Sequence, residues 1–247
     1  MNYRPLVVIP CRMGATRLPG KPLADIAGQP MIWHVWHQLS TLSGIDLIVA
    51  CDDQCIIDAL PPQATCVLTT QCHAGTDRVA QAVALFDPDK KHDVVINVQG
   101  DMPLLYAPAV LMLANLFKNP AIQMGTVLAP LMDGELELKS VVKAECSQRD
   151  GAFFCHDFWR QPQDFPADHQ LFHHIGIYGF RRELLDQYVT WPAAEREKER
   201  SLEQLRALDK GVEIWGVFVE EGSFLSVDTP ADLVLANHRV SPLRQAI

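Results

Sequence analysis

The chain is short of positive charge. Its 21 Lys and Arg residues face 30 Asp and Glu, a formal net charge of −9. That excludes the broad basic surface of a nucleic-acid-binding domain. It leaves nucleotide binding open, because a divalent cation held by carboxylates inverts the local field. Long apolar runs are also missing: none reaches the ~20 residues needed to cross a bilayer. The first residues lack the apolar stretch of a secretory signal, so a cytoplasmic location is expected. The seven cysteines, at 11, 51, 55, 66, 72, 146 and 155, are odd in number and form no Cys-x-x-Cys pair. A zinc ribbon or dithiol redox motif is thereby excluded, and they read as small buried hydrophobes in a reducing compartment. There is no repeat, low-complexity segment or linker to divide the 247 residues, and 48% of them are hydrophobic, enough for a sizeable core. One domain is expected.

What is present is a loop. Leu6 to Ile9 is a short apolar run that reads as a buried strand, and Met31, Ile32, Val35, Trp36, Leu39 and Leu42 mark an amphipathic helix. Between them, Arg12-Met13-Gly14-Ala15-Thr16-Arg17-Leu18-Pro19-Gly20-Lys21-Pro22-Leu23 carries the cations Arg12, Arg17 and Lys21. Glycine lets backbone approach a ligand and proline stiffens the loop around it. A cationic loop at the carboxyl end of a strand suits a polyphosphate. The spacing is neither a Walker loop nor a Gly-x-Gly-x-x-Gly turn.

Further strands are expected at Asp46–Cys51, Cys66–Leu68 and Asp93–Val98, with a short helix through Ile56, Ile57 and Leu60 and another entered at Thr76 as N-cap. Strands alternating with helices imply a parallel sheet with its sites at the carboxyl ends of the strands. The second half is less regular. Short strands are expected at Gln123–Ala129, Val141–Cys146, Ala152–Cys155, Ile175–Phe180 and Glu213–Val219, an exposed loop from Arg160 to His169, and helices from Arg181 to about Val189 and from Glu195 to Leu208. The last helix opens at Asp228-Thr229-Pro230-Ala231-Asp232, with Thr229 as N-cap and Pro230 at its first position.

Five constellations carry chemistry. Asp101, in Gln99-Gly100-Asp101, leaves the end of a central strand and is a plausible Mg2+ ligand, or else caps the following turn. Asp228 alone would be an ordinary helix start. Two carboxylates facing a cationic loop make a metal-assisted phosphoryl site sensible. Thr76 and Arg78, at a helix entrance, suit an anion or a base edge, although Arg78 could equally form an ion pair. His174, Gly176 and Tyr178 share one face of a strand, a polar substrate wall or a hydrogen-bonded core pair; His173 points the other way, so the two histidines cannot hold one ion. Glu203 and Gln204 lie on a charged helix whose ordinary reading is a solvated face.

Taken together these stretches resemble the 3-deoxy-manno-octulosonate (Kdo) cytidylyltransferases. The loop matches Arg-x-x-x-(Ser/Thr)-Arg-(Leu/Phe)-Pro-Gly-Lys-Pro-Leu position by position. More specific are Gly-Asp-x-Pro, His-Ile-Gly-Ile-Tyr, Leu-Glu-Gln-Leu-Arg-Ala-Leu and Val-Asp-Thr-Pro-x-Asp-Leu, in order from Val8 to Leu233. The resemblance implies a Rossmann-like α/β nucleotidyltransferase fold with a central, mostly parallel sheet and a smaller sugar-binding and dimerisation subregion. It implies a nucleotide-binding half of about 1–105 and a sugar-binding and dimer half of about 106–247. It also implies a cytoplasmic homodimer that takes CTP and an acidic sugar, with Mg2+ as cofactor, for lipopolysaccharide synthesis. Metal binding would fall on Asp101 and Asp228 and catalytic phosphate contacts on Arg12 and Lys21. Substrate contacts would fall on Arg17, Thr76, Arg78, Gln99, His174, Tyr178, Glu203 and Gln204.

Some positions depart from the family. Phe153-Phe154-Cys155-His156 stands where Tyr-Phe-Ser-Arg is common, Ala74 replaces Ser before Gly75, and no Asn-Pro precedes Val142-Lys143. With His156 in place of an arginine, sugar binding is expected to strengthen as pH falls and an imidazole becomes charged. The alternatives are another acidic sugar, such as an 8-amino Kdo analogue or a sialic acid, or a catalytically idle nucleotide-binding regulator. Retention of both carboxylates and Lys21 speaks against idleness.

Overall fold

The computed structural model describes residues 4–15, 17–72, 74–149, 151–161, 166–220 and 224–244, with side chains as far as Val240. Thr16 of the loop motif lies outside the described residues, as does part of the segment Arg160 to His169. In chain order the elements are β1 (Leu6–Pro10), β2 (Asp25–Ile26), β3 (Gln29–Pro30), α1 (Met31–Ser40), β4 (Asp46–Cys51), α2 (Gln54–Asp58), β5 (Cys66–Leu68), α3 (Gly75–Phe86), β6 (Val94–Val98), α4 (Pro108–Leu116) and β7 (Met124–Ala129). They continue with β8 (Lys143–Arg149), β9 (Ala152–Trp159), β10 (Gln170–Arg181), α5 (Arg182–Tyr188), α6 (Glu195–Arg200), α7 (Leu205–Asp209), β11 (Ile214–Phe218) and α8 (Pro230–Arg244).

The chain forms two compact units, one of residues 1–92, 97–107 and 222–247, the other of 93–96 and 108–221. In the first, β4 pairs in parallel with β1 on one side and β5 on the other. β1 is apolar and fully buried along its length, as a strand covered on both faces must be. Helix α1 buries Met31, Ile32, Val35, Trp36 and Leu39, the expected stripe; Leu42 lies beyond its end. The C-terminal α8 returns to this unit, where Ala236 and Val240 join Ile26, Met31 and Val227 in one apolar cluster.

The second unit departs from the parallel pattern of the first. There β11 pairs in parallel with β7, but β10 with β7, β10 with β8, β11 with β9 and β8 with β9 are all antiparallel. Parallel neighbours need a long crossover, whereas β8 and β9 are joined by a tight turn in which Gly151 takes φ 79. The long β10 pairs with β8 through its first residues and with β7 through the rest, so the five strands close on themselves.

Two helical expectations are corrected. Glu195 to Leu208 is two short helices, because Ser201 adopts the left-handed region at φ 54. Thr76 is not the N-cap of α3: that position is Ala74, whose N–H donates to the Asp77 carboxylate at 3.1 Å, and Thr76 is buried in the first turn. The entrance to α8 is as expected, since Thr229 N–H donates to Asp232 Oδ2 at 2.8 Å while Asp232 N–H donates to Thr229 Oγ1 at 3.3 Å.

Candidate active site

The loop after β1 turns at Gly20, whose φ of 67 suits glycine, and enters a single 3-10 turn, Lys21–Leu23. This carries the Lys21 ammonium between two carboxylates, donating to Asp101 Oδ2 at 2.5 Å and Asp228 Oδ1 at 2.9 Å. Arg17 Nη2 reaches the same Asp228 oxygen at 3.0 Å. Burial works against the Lys21 charge, but Asp101 and Asp228 outweigh it and hold the ammonium above its ordinary pKa.

Each carboxylate is placed by backbone. A Cβ at Gly100 would lie 2.8 Å from the Pro10 carbonyl oxygen, so glycine alone lets the exit of β6 pass so close to the end of β1. Val227 N–H then donates to the Asp101 carbonyl at 2.8 Å and Leu225 N–H to that of Leu104 at 2.8 Å, drawing the segment before α8 alongside. Ser226 Oγ donates to Asp101 Oδ1 at 3.3 Å. Asp228 is held by its own N–H, which donates to Asp232 Oδ2 at 3.0 Å. Arg12 is exposed and has no ion pair among the described residues.

Arg78 forms the ion pair that was one of its open alternatives, as a buried residue rather than a surface one. Only 3% exposed, it donates to Thr69 Oγ1 and, at 3.0 Å, to Asp52 Oδ2. Asp52 Oδ1 accepts the Met13 N–H of the cationic loop at 3.1 Å. Gln99 Nε2 donates to Asn97 Oδ1 at 3.2 Å, while Asn97 Nδ2 is buried without a partner among the described residues.

In the second unit, His174 and Tyr178 lie side by side, ring centroids 5.4 Å apart. The pairing of β10 with β7 slips between Ile175 and Tyr178, where three steps on one strand answer one on the other. The two extra residues are an even number, so the alternation of faces survives. Thr126 Oγ1 lies 2.9 Å from the Ile177 carbonyl and 3.0 Å from His174 Nε2. Donating to the carbonyl, the hydroxyl accepts from Nε2–H, which assigns the neutral tautomer with Nδ1 as acceptor. Burial pushes the His174 pKa down to about 3. Tyr178 Oη donates to Gln204 Oε1 at 3.0 Å, and Gln204, 2% exposed, keeps a buried Nε2 with no partner among the described residues. Gln204 is aimed inward by the break at Ser201 and by Arg206, clamped two-handedly on buried Glu197, with Nε to Oε2 at 2.8 Å. The solvated-face reading of this segment therefore fails at Gln204. The Glu203 carbonyl accepts the Tyr188 hydroxyl at 2.6 Å.

His156, which stands where an arginine is common in the family, is held between Ser147 and His169. His156 Nε2 is 2.7 Å from Ser147 Oγ and its ring stacks on His169 at 3.9 Å. Burial and His169 hold its pKa below the ordinary histidine value. His173 pairs with Glu135 at 3.1 Å, away from His174 as alternation requires.

The sequence reading missed Asp52, Asn97, Thr126 and Ser226. For Asp52 the signal was present: it directly follows a strand of the parallel set, much as Asp101 lies just past the end of another. Thr126 had none, being one small residue inside an apolar strand.

The sequence profile of the cytidylyltransferases matches residues 6–214. The chain belongs to the cytidylyltransferase family. It is thus a nucleotidyltransferase. The chain is 39% identical to a 3-deoxy-manno-octulosonate cytidylyltransferase of Methylorubrum populi over 93% of its own length and 94% of the relative's. To the enzyme of that name from Rhodospirillum centenum it is 40% identical, over 96% and 94%. Among solved structures it resembles a CMP:2-keto-3-deoxy-manno-octonic acid synthetase in complex with CTP, with TM-score 0.84 and 32% identity over 98% of this chain and 99% of that one. A glucose-1-phosphate thymidylyltransferase of Bacillus anthracis, described as putative in its name, shares the fold at TM-score 0.63 and 17% identity. No helix among the described residues is long and apolar enough to cross a membrane.

Proposed function

We propose that this cytidylyltransferase moves CMP from CTP to the anomeric hydroxyl of Kdo, forming CMP-Kdo and releasing pyrophosphate. The observation that carries the reading is the convergence of Asp101 and Asp228 on one ammonium, Lys21, in a chain whose relatives bear that activity as their name. The product is a building block of lipopolysaccharide, made in the cytoplasm by a homodimer. The chain acts as one nucleotidyltransferase domain, in which residues 1–105 with Asp228 handle the nucleotide and the remainder the sugar.

Phosphoryl transfer asks mainly for positioning and charge neutralisation rather than a covalent nucleophile. Arg12, exposed and without an ion pair among the described residues, takes the triphosphate first. Lys21 and Arg17 neutralise charge that builds on the departing pyrophosphate. Asp101 and Asp228 fit Mg2+: both are hard carboxylate donors, already gathered within 3 Å of a single cationic group. A Mg2+ ion bound there supplies charge neutralisation at the α-phosphate and acidifies the attacking hydroxyl. Thr76 and the α3 entrance line the base side with Gln99 nearby. The sugar hydroxyls meet the acceptor Nδ1 of His174, the Tyr178 phenol, the unpaired Gln204 amide and Glu203.

Pyrophosphate release is to be measured with CTP and a panel of Kdo, 8-amino-Kdo and sialic acid. Kdo should give the highest kcat/KM. A preference for another acidic sugar would reassign the acceptor, and no release with any of them would favour the idle regulator.

A further inference from the structure

We infer that Asp52 is a positioning residue for the triphosphate loop, acting in a relay that runs from Arg78 through Asp52 to the Met13 backbone; this rests on the reading of that loop as the CTP phosphate site. The relay ties together three strand ends. Asp52 follows β4, Thr69 follows β5, and Met13 belongs to the loop after β1. Thr69 Oγ1 donates to the Cys51 carbonyl at 2.9 Å and accepts from Arg78; Arg78 donates to Asp52 at 3.0 Å; Asp52 accepts from Met13 N–H at 3.1 Å. The parallel pairing of β1, β4 and β5 holds the strand ends that carry Met13, Asp52 and Thr69 in register, and Arg78 reaches Asp52 and Thr69 from α3.

Charge explains why two residues are needed. A lone carboxylate beside a polyphosphate loop would repel the ligand. Here the Arg78 guanidinium, almost wholly buried, cancels the Asp52 charge from within, so the loop gains an acceptor for Met13 N–H without gaining a net negative group. Arg78 in turn has both terminal nitrogens engaged and acts on the nucleotide through Asp52, not by touching it. The residue whose direction depends on the anchor is Arg12, which adjoins Met13 and has no ion pair among the described residues. Its pairing with phosphate is ordered in advance, and the entropy of ordering is not charged to binding.

The relay is tested in the purified full chain by Asp52→Ala, which removes both contacts, Asp52→Asn, which keeps one acceptor, and Asp52→Glu, which keeps the charge. Readouts are the steady-state constants, the CTP dissociation constant by calorimetry and the melting temperature. Asp52→Ala should raise the KM and dissociation constant of CTP about tenfold, with the sugar KM within about twofold and kcat reduced less than the CTP affinity. Asp52→Asn should fall between Ala and wild type, and Asp52→Glu should recover part of the loss. If Asp52→Ala does not fold because it strands the buried Arg78 charge, Asp52→Ala/Arg78→Met removes that charge too and should show the same CTP defect. A folded variant without the carboxylate whose CTP affinity stays within about twofold of wild type overturns the relay. So does an equal loss of CTP affinity and sugar KM, or a loss confined to the melting temperature. An inactive wild-type chain that still binds CTP more weakly on Asp52→Ala would leave the relay standing and sink only the proposed reaction.

Discussion

The two units solve opposite electrostatic problems. In the first, charges are gathered and left partly wet: Lys21, Arg17, Asp101 and Asp228 meet with the Asp228 side chain 40% exposed and that of Arg17 67%. In the second, the three side chains that meet through hydrogen bonds and ring contact, His174, Tyr178 and Gln204, are neutral. His174 is 6% exposed and uncharged, Gln204 is 2% exposed, and the Tyr178 phenol is kept protonated by burial, with Glu203 adding to the effect. Charge placed where charge develops stabilises a transition state. A fixed set of neutral hydrogen-bonding groups instead recognises a polyhydroxylated ligand, because each unpaired buried donor or acceptor penalises the wrong one. The comparison predicts that substitutions in the first unit act on kcat and those in the second on the sugar KM.

The largest effect should come from the carboxylates. Asp101→Asn and Asp228→Asn each keep side-chain volume but remove a negative charge, and pyrophosphate release should fall roughly 10³-fold. Circular dichroism and the melting temperature should be close to wild type, since neither carboxylate lies in a core. Near-normal turnover of either variant at saturating Mg2+ would break the assignment of that residue as a metal ligand.

A smaller loss, about 10²-fold, is expected for Lys21→Ala, read as kcat against the KM for CTP. If Lys21 neutralises charge that grows as pyrophosphate leaves, kcat falls more than affinity. A raised KM with unchanged kcat would assign it to ground-state binding. Lys21→Ala also removes the ammonium that separates Asp101 from Asp228, so the variant should need more Mg2+ than wild type to reach half-maximal rate only if that separation matters for the carboxylates' placement; an unchanged Mg2+ requirement assigns Lys21 to phosphate alone.

The first unit was legible in sequence because its signals are local. Glycine, proline and cations at fixed offsets announce the loop, and carboxylates at strand ends announce the partners, so β4 and β5 fall where periodicity puts them. The second unit was less legible because what makes it a site is not local. Gln204 becomes a buried donor only through the left-handed turn at Ser201 and the clamp of Arg206 on Glu197, nine residues away in sequence. An alternating charged stretch gives no sign of this. Thr126 sets the tautomer of His174 from 48 residues away. Hairpin pairing of β8 and β9, driven by the turn at Gly151, likewise replaced the parallel pattern that the first hundred residues suggested.

The finest test of the contrast lies at His174, where the chemistry is hydrogen bonding without charge. His174→Ala should raise the sugar KM about tenfold, the worth of one good neutral hydrogen bond, and leave the calorimetric CTP affinity near wild type. In wild type the sugar KM should be flat between pH 6 and 8, because an imidazole with a pKa near 3 does not titrate there. Stability, however, should carry its signature. The folded pKa lies below the ordinary 6.5, so the unfolded chain takes up the proton first, and the His174 contribution is complete above pH 6.5 and drains away as pH falls toward 3. His156 and His173, both lowered by burial, act in the same direction and begin in the same window, whereas Asp87 and Asp232, lowered from 3.8, act only in more acid solution. The melting temperature of wild type should therefore drop between pH 6.5 and 5, and His174→Ala should show a shallower drop from a lower starting value. An equally steep drop in the variant, or a sugar KM that falls tenfold on going from pH 8 to 6, would mean that His174 is charged in the folded chain and that the second unit, too, recognises its ligand by charge.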